Sequence, residues 1–177
     1  GAGLITPDLV PDEAPDWFAA SDAHGLDRIF LVSPSSSDER IAATAQACRG
    51  WLYATAVMGV TGTREQSSSM APDLVARVRS LAPDALVGVG LGISTGDQAA
   101  QVAAYADAAI VGSAFVKPML AAEDAGTPGD LTGVRTVLAD LVAGVRRLGD
   151  SHAPWWPLSR RSPWPRAADR PPTSVRS

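Results

Sequence analysis

Short apolar runs that alternate with longer helical segments constrain the fold of this chain more than any other feature. Five runs have the composition of buried strands and are bounded by Gly, Pro, Ser or Asp: Leu4–Thr6, Arg28–Val32, Trp51–Val57, Ala85–Val89 and Ala108–Val111. They recur at intervals of about 22 to 34 residues, which is enough for a helical crossover between parallel strands. The pattern predicts an α/β fold with a parallel sheet and outer helices.

Amphipathic segments fill the intervals and predict the helices. They are Asp12–Ala23, Asp38–Cys48, Pro72–Leu81 and Thr95–Tyr105, followed by a short apolar piece up to Ala121 and a closing helix over Asp130–Leu148. One face of the closing helix is apolar, with Val134, Val137, Leu138, Leu141, Val142 and Val145. Residues 1–149 therefore predict one domain.

Residues 150–177 differ in composition from this domain. Five Arg and one Asp give residues 151–177 a charge of +4, which leaves −8 for the rest of a chain with a formal net charge of −4. The segment is rich in Pro and Trp and has no sustained period, so we expect a disordered extension. The acidic body argues against nucleic acid as the main partner.

The remaining composition narrows the class of protein. No run of about 18 apolar residues is present, so the sequence does not predict a membrane span. A single cysteine, Cys48, cannot form an internal disulfide and fits a reducing compartment such as the cytoplasm. We expect a packing or surface role for this thiol. With two histidines in the chain, a His-rich metal site is not expected.

Two glycine turns stand where the last two apolar runs give way to helices, at Gly90–Ser94 and Gly112–Ala114. Glycine lets the backbone approach a ligand closely, and free N–H groups at a helix start bind anions. Two such turns about 20 residues apart predict a composite phosphate site, to which the Ser94 and Ser113 hydroxyls can add.

In a (β/α)8 barrel such a phosphate site belongs to the loops after strands 7 and 8. Counted back from the glycine turns, the five runs are strands 4 to 8, and the fold is predicted as a partial TIM barrel. An arc of five strands cannot close, because a barrel requires matched strand number and shear. We therefore expect two free edges that expose unpaired backbone and apolar side chains.

Three further features lie on the face where barrels of this type carry their active sites. The loop from Met58 contains Thr61 and Gly62 and continues into Gln66–Ser69, which predicts either a segment that closes over a ligand or a plain surface loop. Tyr53 points either into the barrel or toward a helix. Asp8 serves either acid–base chemistry or, as we favour, the loop backbone. The chain shows no paired carboxylates and no Ser-His-Asp set, so the pattern predicts a binding site without a catalyst.

Five motifs follow one another between residues 1 and 149: LITPDL from Leu4, IFLVSP with SSDERI from Ile29, GVTG from Gly59, GLGIS from Gly90 and VGSA from Val111. This ordered set resembles the C-terminal portion of the tryptophan synthase alpha chain family. The family is a TIM barrel that cleaves indole-3-glycerol phosphate into indole and glyceraldehyde 3-phosphate by a retro-aldol reaction. It passes indole to a beta subunit that carries pyridoxal phosphate.

The resemblance implies roles for seven residues. Gly92, Gly112 and Ser113 contribute phosphate binding, Tyr53 borders the substrate pocket, and Thr61 and Gly62 lie on the closing loop. Leu91 stands where the family usually has Phe, which keeps an apolar wall but loses an aromatic contact. Two further departures are Val10, in place of the first Pro of a PDLP-type motif, and Val57-Met58, in place of a more polar pair.

The resemblance also implies what the chain lacks and what it joins. The family's acid–base pair, a Glu ending strand 2 and an Asp on the loop after it, belongs to a part that these residues do not include, so no catalytic residue is assigned. We therefore expect little activity from the chain alone. The family needs no metal and no cofactor of its own, and it assembles with its beta subunit as an alpha2-beta2 tetramer.

Two alternatives remain open on the sequence. One is another phosphate-binding barrel of the indole-glycerol-phosphate synthase or ribulose-phosphate epimerase type, which the GVTG loop at Gly59 disfavours. The other is a non-catalytic remnant that binds a phosphate ligand or a beta subunit without turnover.

Overall fold

Parallel strands and α-helices largely alternate along the part of the chain that the structure describes, which contains six of each. The structure, a computed structural model, describes residues 1–55, 64–90 and 92–149. The strands are β1 (Gly3–Ile5), β2 (Asp27–Ile29), β3 (Leu31–Val32), β4 (Leu52–Thr55), β5 (Val87–Gly90) and β6 (Ala108–Ala109). β1 pairs with β2, and the other four pair in the order β3-β4-β5-β6. The predicted α/β class with parallel pairing is confirmed.

The predicted strand over Arg28–Val32 is wrong in one respect, because it consists of β2 and β3 separated at Phe30. The Phe30 N–H donates to Cys48 Sγ at 3.4 Å instead of to a strand carbonyl, while the Phe30 carbonyl accepts from the Tyr53 N–H at 3.0 Å. The thiol therefore interrupts the ladder. Burial raises the pKa of Cys48 to about 11, as expected of a thiol in a packing role.

The helices are α1 (Pro15–Ala23), α2 (Asp38–Ala47), α3 (Arg64–Leu81), α4 (Gly96–Ala103), α5 (Ser113–Asp124) and α6 (Thr132–Gly149). A helix from Asp12 was predicted, but a 3-10 turn over Pro11–Glu13 comes first and α1 begins afresh at Pro15. Proline suits the first helical position because its missing N–H has no partner there.

The start of α3 corrects a second prediction. The sequence predicts a helix from Pro72 and a loop, either closing over a ligand or plain, through Gln66–Ser69, but α3 begins at Arg64 and carries Pro72 inside it. Proline inside a helix costs about 3 kcal/mol. Burial of Ala71, Leu74 and Val75 against the core offsets that cost.

Alternation along the strands divides the sheet into two faces. Leu52, Ala54, Val87 and Val89 point toward the helices and are essentially fully buried. They pack with apolar residues of α2, α3, α4 and α6, among them Ile41, Leu74, Val78, Val102 and Leu141. The opposite face carries Trp51, Tyr53, Gly88 and Gly90. The core therefore lies entirely between the sheet and its outer helices.

Apolar side chains are exposed at the outer strand β1 and on α5, which follows β6. Leu4 and Ile5 of β1 are 54% and 43% exposed, and Val116, Met119 and Leu120 of α5 are 51–54% exposed. Within the described residues, β1 and β6 each pair on one side only, as do β2 and β3, which do not pair with each other. These exposures match the expectation of free edges.

Helices α4 and α6 meet through two glycines. A Cβ at Gly144 would overlap the carbonyl oxygen of Gly96, and a Cβ at Gly96 would overlap the carbonyl oxygen of Asp140. The Gly96 N–H also donates to Asp140 Oδ2 at 2.7 Å. This close contact fixes where α4 begins.

An ion cluster occupies the opposite edge of the sheet, where β2 and β4 begin. Asp22 Oδ1 lies 2.6 Å from Arg28 Nη1 and 2.8 Å from Arg49 Nη1, and the Arg28 guanidinium lies 4.6 Å from the centroid of the Phe18 ring. Burial alone would raise the pKa of Asp22, but hydrogen bonds and charge from Arg28 and Arg49 outweigh it and lower the pKa. The cluster ties α1 to the sheet.

Replacing Gly144 tests the α4–α6 contact. Alanine in a helix ordinarily stabilises by about 0.5–1 kcal/mol relative to glycine. At Gly144 the added methyl meets backbone, so we expect Gly144→Ala to lower the free energy of unfolding by about 1–3 kcal/mol in urea titrations. Ala143→Ser, at an exposed neighbouring position, is the control and should change it by less than about 0.7 kcal/mol. Stabilisation by Gly144→Ala would contradict the contact.

Asp22 makes part of the stability dependent on pH. The pKa of Asp22 is lowered in the folded state. Its contribution to the free energy of unfolding is therefore complete above its ordinary pKa of 3.8 and is lost as the pH falls through the folded-state pKa. The carboxylate is 42% exposed, so solvent screening keeps the effect of Asp22→Asn below about 1 kcal/mol. We expect this difference from wild type at pH 7 and none near pH 2. Asp73→Asn, at an exposed site on α3, is the control, and an equal loss there would contradict the assignment.

Candidate functional site

Parallel pairing places the residues after each strand at one edge of the sheet. β4, β5 and β6 end at Thr55, Gly90 and Ala109, and Gly92, Gly112 and Ser113 follow the last two. The structure therefore brings Tyr53, Gly92, Gly112 and Ser113 to the ends of three adjacent strands. Asp8 follows β1 at the same edge, is exposed, and stands apart from this group. Thr61, Gly62 and Leu91 lie outside the described residues.

Tyr53 points away from the helices. Its neighbours Leu52 and Ala54 are buried against the helix layer, so alternation directs Tyr53 to the opposite face. There its ring stacks on Trp51 with centroids 5.9 Å apart. A Cβ at Gly90 would overlap the Tyr53 hydroxyl, so Gly90 makes room for it. Of the two orientations that the sequence left open, the structure has the one facing into the barrel.

The glycine turn after β5 differs from its prediction in what it offers a ligand. Gly92 has φ +66°, which favours glycine, and a Cβ there would meet no described atom within 4 Å. Ser94, however, donates to Gln98 Oε1 from its N–H at 2.8 Å and from its hydroxyl at 3.1 Å. Both polar groups of Ser94 that were expected to face an anion are therefore bonded within the turn.

The N-terminus of α4 is occupied as well. Thr95 and Gln98 form a reciprocal capping box, in which the Thr95 hydroxyl accepts from the Gln98 N–H at 3.3 Å. The Gly96 N–H donates to Asp140. With the Gly96 and Gln98 N–H groups bonded and the Asp140 carboxylate beside them, the start of α4 is a poor place for an anion.

The N-terminus of α5 is open. Gly112 is the N-cap residue and makes no side-chain capping bond, Ser113 is exposed at the first helical position, and a Cβ at Gly112 would meet no described atom within 4 Å. The first N–H groups of a helix have no partner within it and carry its positive dipole end. The first turn of α5 contains no acidic residue. This helix start can therefore receive an anionic group.

A cleft of about 300 Å³ lies elsewhere on the same edge, between the loops after β1 and β3. Leu9, Ser33, Arg40 and Thr55 are among its lining residues. Neither Gly92 nor Ser113 lines it, and Asp8 does not line it either. It is thus separate from the glycine turns.

Two classes of site find no support in the described residues. No group of three or more His, Cys, Asp or Glu side chains within residues 1–55, 64–90 and 92–149 is placed to hold a metal ion. Among the helices that the structure describes, none has the length and hydropathy needed to cross a membrane.

Sequence reasoning missed three contributors to this edge. Trp51 supports Tyr53, Gln98 bonds Ser94, and Asp140 bonds Gly96 from a distant helix. The Thr95-x-x-Gln98 spacing is a recognisable capping pattern, and the residues 51, 53, 88 and 90 share a period of two. Nothing local marks Asp140, which acts across 44 residues.

Relatives of known family match most of the chain. The sequence model for "Tryptophan synthase alpha chain" matches residues 2–136. The tryptophan synthase alpha chain of Acidothermus cellulolyticus is 62% identical over 148 residues, which cover 84% of this chain and 54% of that relative. The alpha chain of Mycobacteroides abscessus is 56% identical over 147 residues, covering 83% and 53%.

Solved structures agree with these sequences. A tryptophan synthase structure from Mycobacterium tuberculosis superimposes with a TM-score of 0.70 at 53% identity, covering 82% of this chain and 52% of that one. Tryptophan synthase subunit alpha from Legionella pneumophila gives 0.63 at 29% identity, covering 86% and 53%. The chain spans about half the length of the curated relatives it matches. By sequence and fold, this chain belongs to the tryptophan synthase alpha chain family.

Proposed function

We propose that these residues form the phosphate-binding side of a lyase that cleaves indole-3-glycerol phosphate to indole and glyceraldehyde 3-phosphate. The open N-terminus of α5 carries the proposal, because no described side chain caps it and Ser113 is exposed there, at the C-terminal edge of the sheet. At the start of α4, the neighbouring candidate, the Gly96 and Gln98 N–H groups are bonded.

The ligand has a charged end and an aromatic end, and the edge offers a surface for each. The phosphate fits the start of α5 at Gly112 and Ser113, with Gly92 leaving room beside it. The indole ring fits the face that carries Tyr53, since this face bears apolar and aromatic surface and lies away from the helices. The glycerol chain then spans the distance between Tyr53 on β4 and the start of α5.

A retro-aldol cleavage also needs an acid and a base near the breaking bond. Asp8 is exposed and apart from the phosphate site, and the resemblance does not place either family carboxylate on it. We therefore assign binding to these residues. The proton transfers belong to the family's Glu and Asp, in the part of the relatives that this chain does not match.

The proposed setting follows the family. The partner is a beta subunit that carries pyridoxal phosphate and receives the indole, in an alpha2-beta2 tetramer, and the compartment is the cytoplasm. The solved neighbours support this, since several are described as tryptophan synthase. We propose no cofactor for the alpha chain itself.

Equivalent substitutions in the two glycine turns test the phosphate site. Ser113→Ala should weaken binding of glyceraldehyde 3-phosphate to the full chain by about 2- to 10-fold, the effect of one hydrogen bond, as measured by calorimetry. Ser113→Asp should abolish binding through like-charge repulsion. Ser94→Ala is the matched control and should leave the affinity unchanged, because that hydroxyl bonds Gln98. Equal losses at Ser94 and Ser113 would contradict the assignment to α5.

Indole release tests the reaction. We expect negligible indole from indole-3-glycerol phosphate with the 177-residue chain alone. Activity should appear when the N-terminal part of the Acidothermus cellulolyticus alpha chain is co-expressed, since that part would supply the acid and base and cover the exposed edge strands. Turnover by the chain alone would contradict the division of roles. Phosphate binding without turnover in the assembled pair would favour a non-catalytic binder.

A further inference from the structure

We propose that Trp51 and Gly88 are positioning residues that hold the Tyr53 ring at the depth where it meets the aromatic part of the ligand. The inference rests on the proposed function for the ligand but on the geometry of β4 and β5 for the positioning.

Two aromatic rings, Tyr53 in β4 and Trp51 directly before that strand, lie over two glycines of β5. A Cβ at Gly88 would come within 2.7 Å of Trp51 Cζ3 and 2.9 Å of Trp51 Cε3. A Cβ at Gly90 would overlap the Tyr53 hydroxyl. Both rings therefore depend on a strand surface without side chains, and the spacing of the two glycines matches that of Trp51 and Tyr53.

Strand register shows that both rings lean toward the C-terminal edge. Tyr53 is paired with Gly88, yet its hydroxyl reaches Gly90, two residues further along β5. Trp51 precedes the first paired residue, Leu52, yet its ring reaches Gly88. The lean places the Tyr53 hydroxyl level with Gly90, the last residue of β5 and the first of the glycine turn.

The stack explains why the lean persists. Trp51 lies below Tyr53 on the same face, with ring centroids 5.9 Å apart and planes inclined by 28°. Offset aromatic pairs at this separation are favourable. If Trp51 were small, the Tyr53 ring could drop into the vacated space. A side chain at Gly88 would lift Trp51 and press on the Tyr53 ring from beneath.

Fluorine NMR on the full chain tests the positioning without a ligand. The chain contains two tyrosines, so 3-fluorotyrosine labelling gives two resonances, which Tyr53→Phe assigns. We expect Trp51→Leu and Gly88→Ala to move the Tyr53 resonance and leave that of Tyr105, which packs on the core and reports an intact fold. Trp51→Phe should restore most of the wild-type position. Trp17→Leu, on α1, is the matched control and should move neither.

Calorimetry then connects the ring to the ligand. Trp51→Leu should weaken binding of indole-3-glycerol phosphate about threefold to tenfold, as expected for loss of one aromatic pair. The affinity for inorganic phosphate should stay unchanged. Trp51→Phe should recover most of the affinity. A general loss of structure would weaken binding of both ligands and move the Tyr105 resonance.

The two arms separate the possible failures. An unmoved Tyr53 resonance in Trp51→Leu and Gly88→Ala overturns the positioning role whatever the ligands do. A moved resonance with unchanged affinity for indole-3-glycerol phosphate overturns the link between Tyr53 and the aromatic part. Failure of the wild-type chain to bind either ligand contradicts the proposed phosphate site, while the fluorine result still decides the positioning.

Discussion

Parallel pairing of the strands is the constraint on which the rest of the structure depends. It sends every crossover through a helix on one face, so that Leu52, Ala54, Val87 and Val89 are buried there. It also gathers the residues after β4, β5 and β6 at one edge. The buried face supplies stability, and in barrels of this type the edge at the C-terminal ends of the strands carries the active site.

Backbone-to-backbone and ring-to-backbone contacts at glycines join the scaffold to the site. Gly96 and Gly144 let α6 approach α4, and Asp140 then bonds the start of α4. Gly88 and Gly90 leave room for the Trp51 and Tyr53 rings over β5. The Gly96–Gly144 pair thus brings Asp140 to the start of α4 and disfavours an anion there. The Gly88–Gly90 pair shapes the sheet surface that carries Trp51 and Tyr53.

Much of this could be predicted from local pattern, because strand and helix periods are short-range properties of the chain. The α/β class and the glycine turns follow from the sequence. Two errors have physical causes beyond that range, because Cys48 interrupts the ladder at Phe30 and core packing lets α3 begin well before Pro72. A third is local, because Gln98, four residues along the chain, takes the Ser94 donors. The capping spacing of Thr95 and Gln98 was readable, whereas Asp140 lies too far along the chain to be paired with Gly96 by any local rule.

The sequence by itself determined the family, the order of strands and helices, and the two glycine turns, since each depends on residue type and spacing. Only the tertiary structure decided that α5, rather than α4, has an open helix start, because the closing carboxylate comes from α6. It alone also turned Tyr53 away from the helices and rested it on Trp51 and Gly90. The alternation of side chains along β4 allows Tyr53 to lie on either face of the sheet. Because Leu52 and Ala54 are buried against the helices, Tyr53 lies on the opposite face.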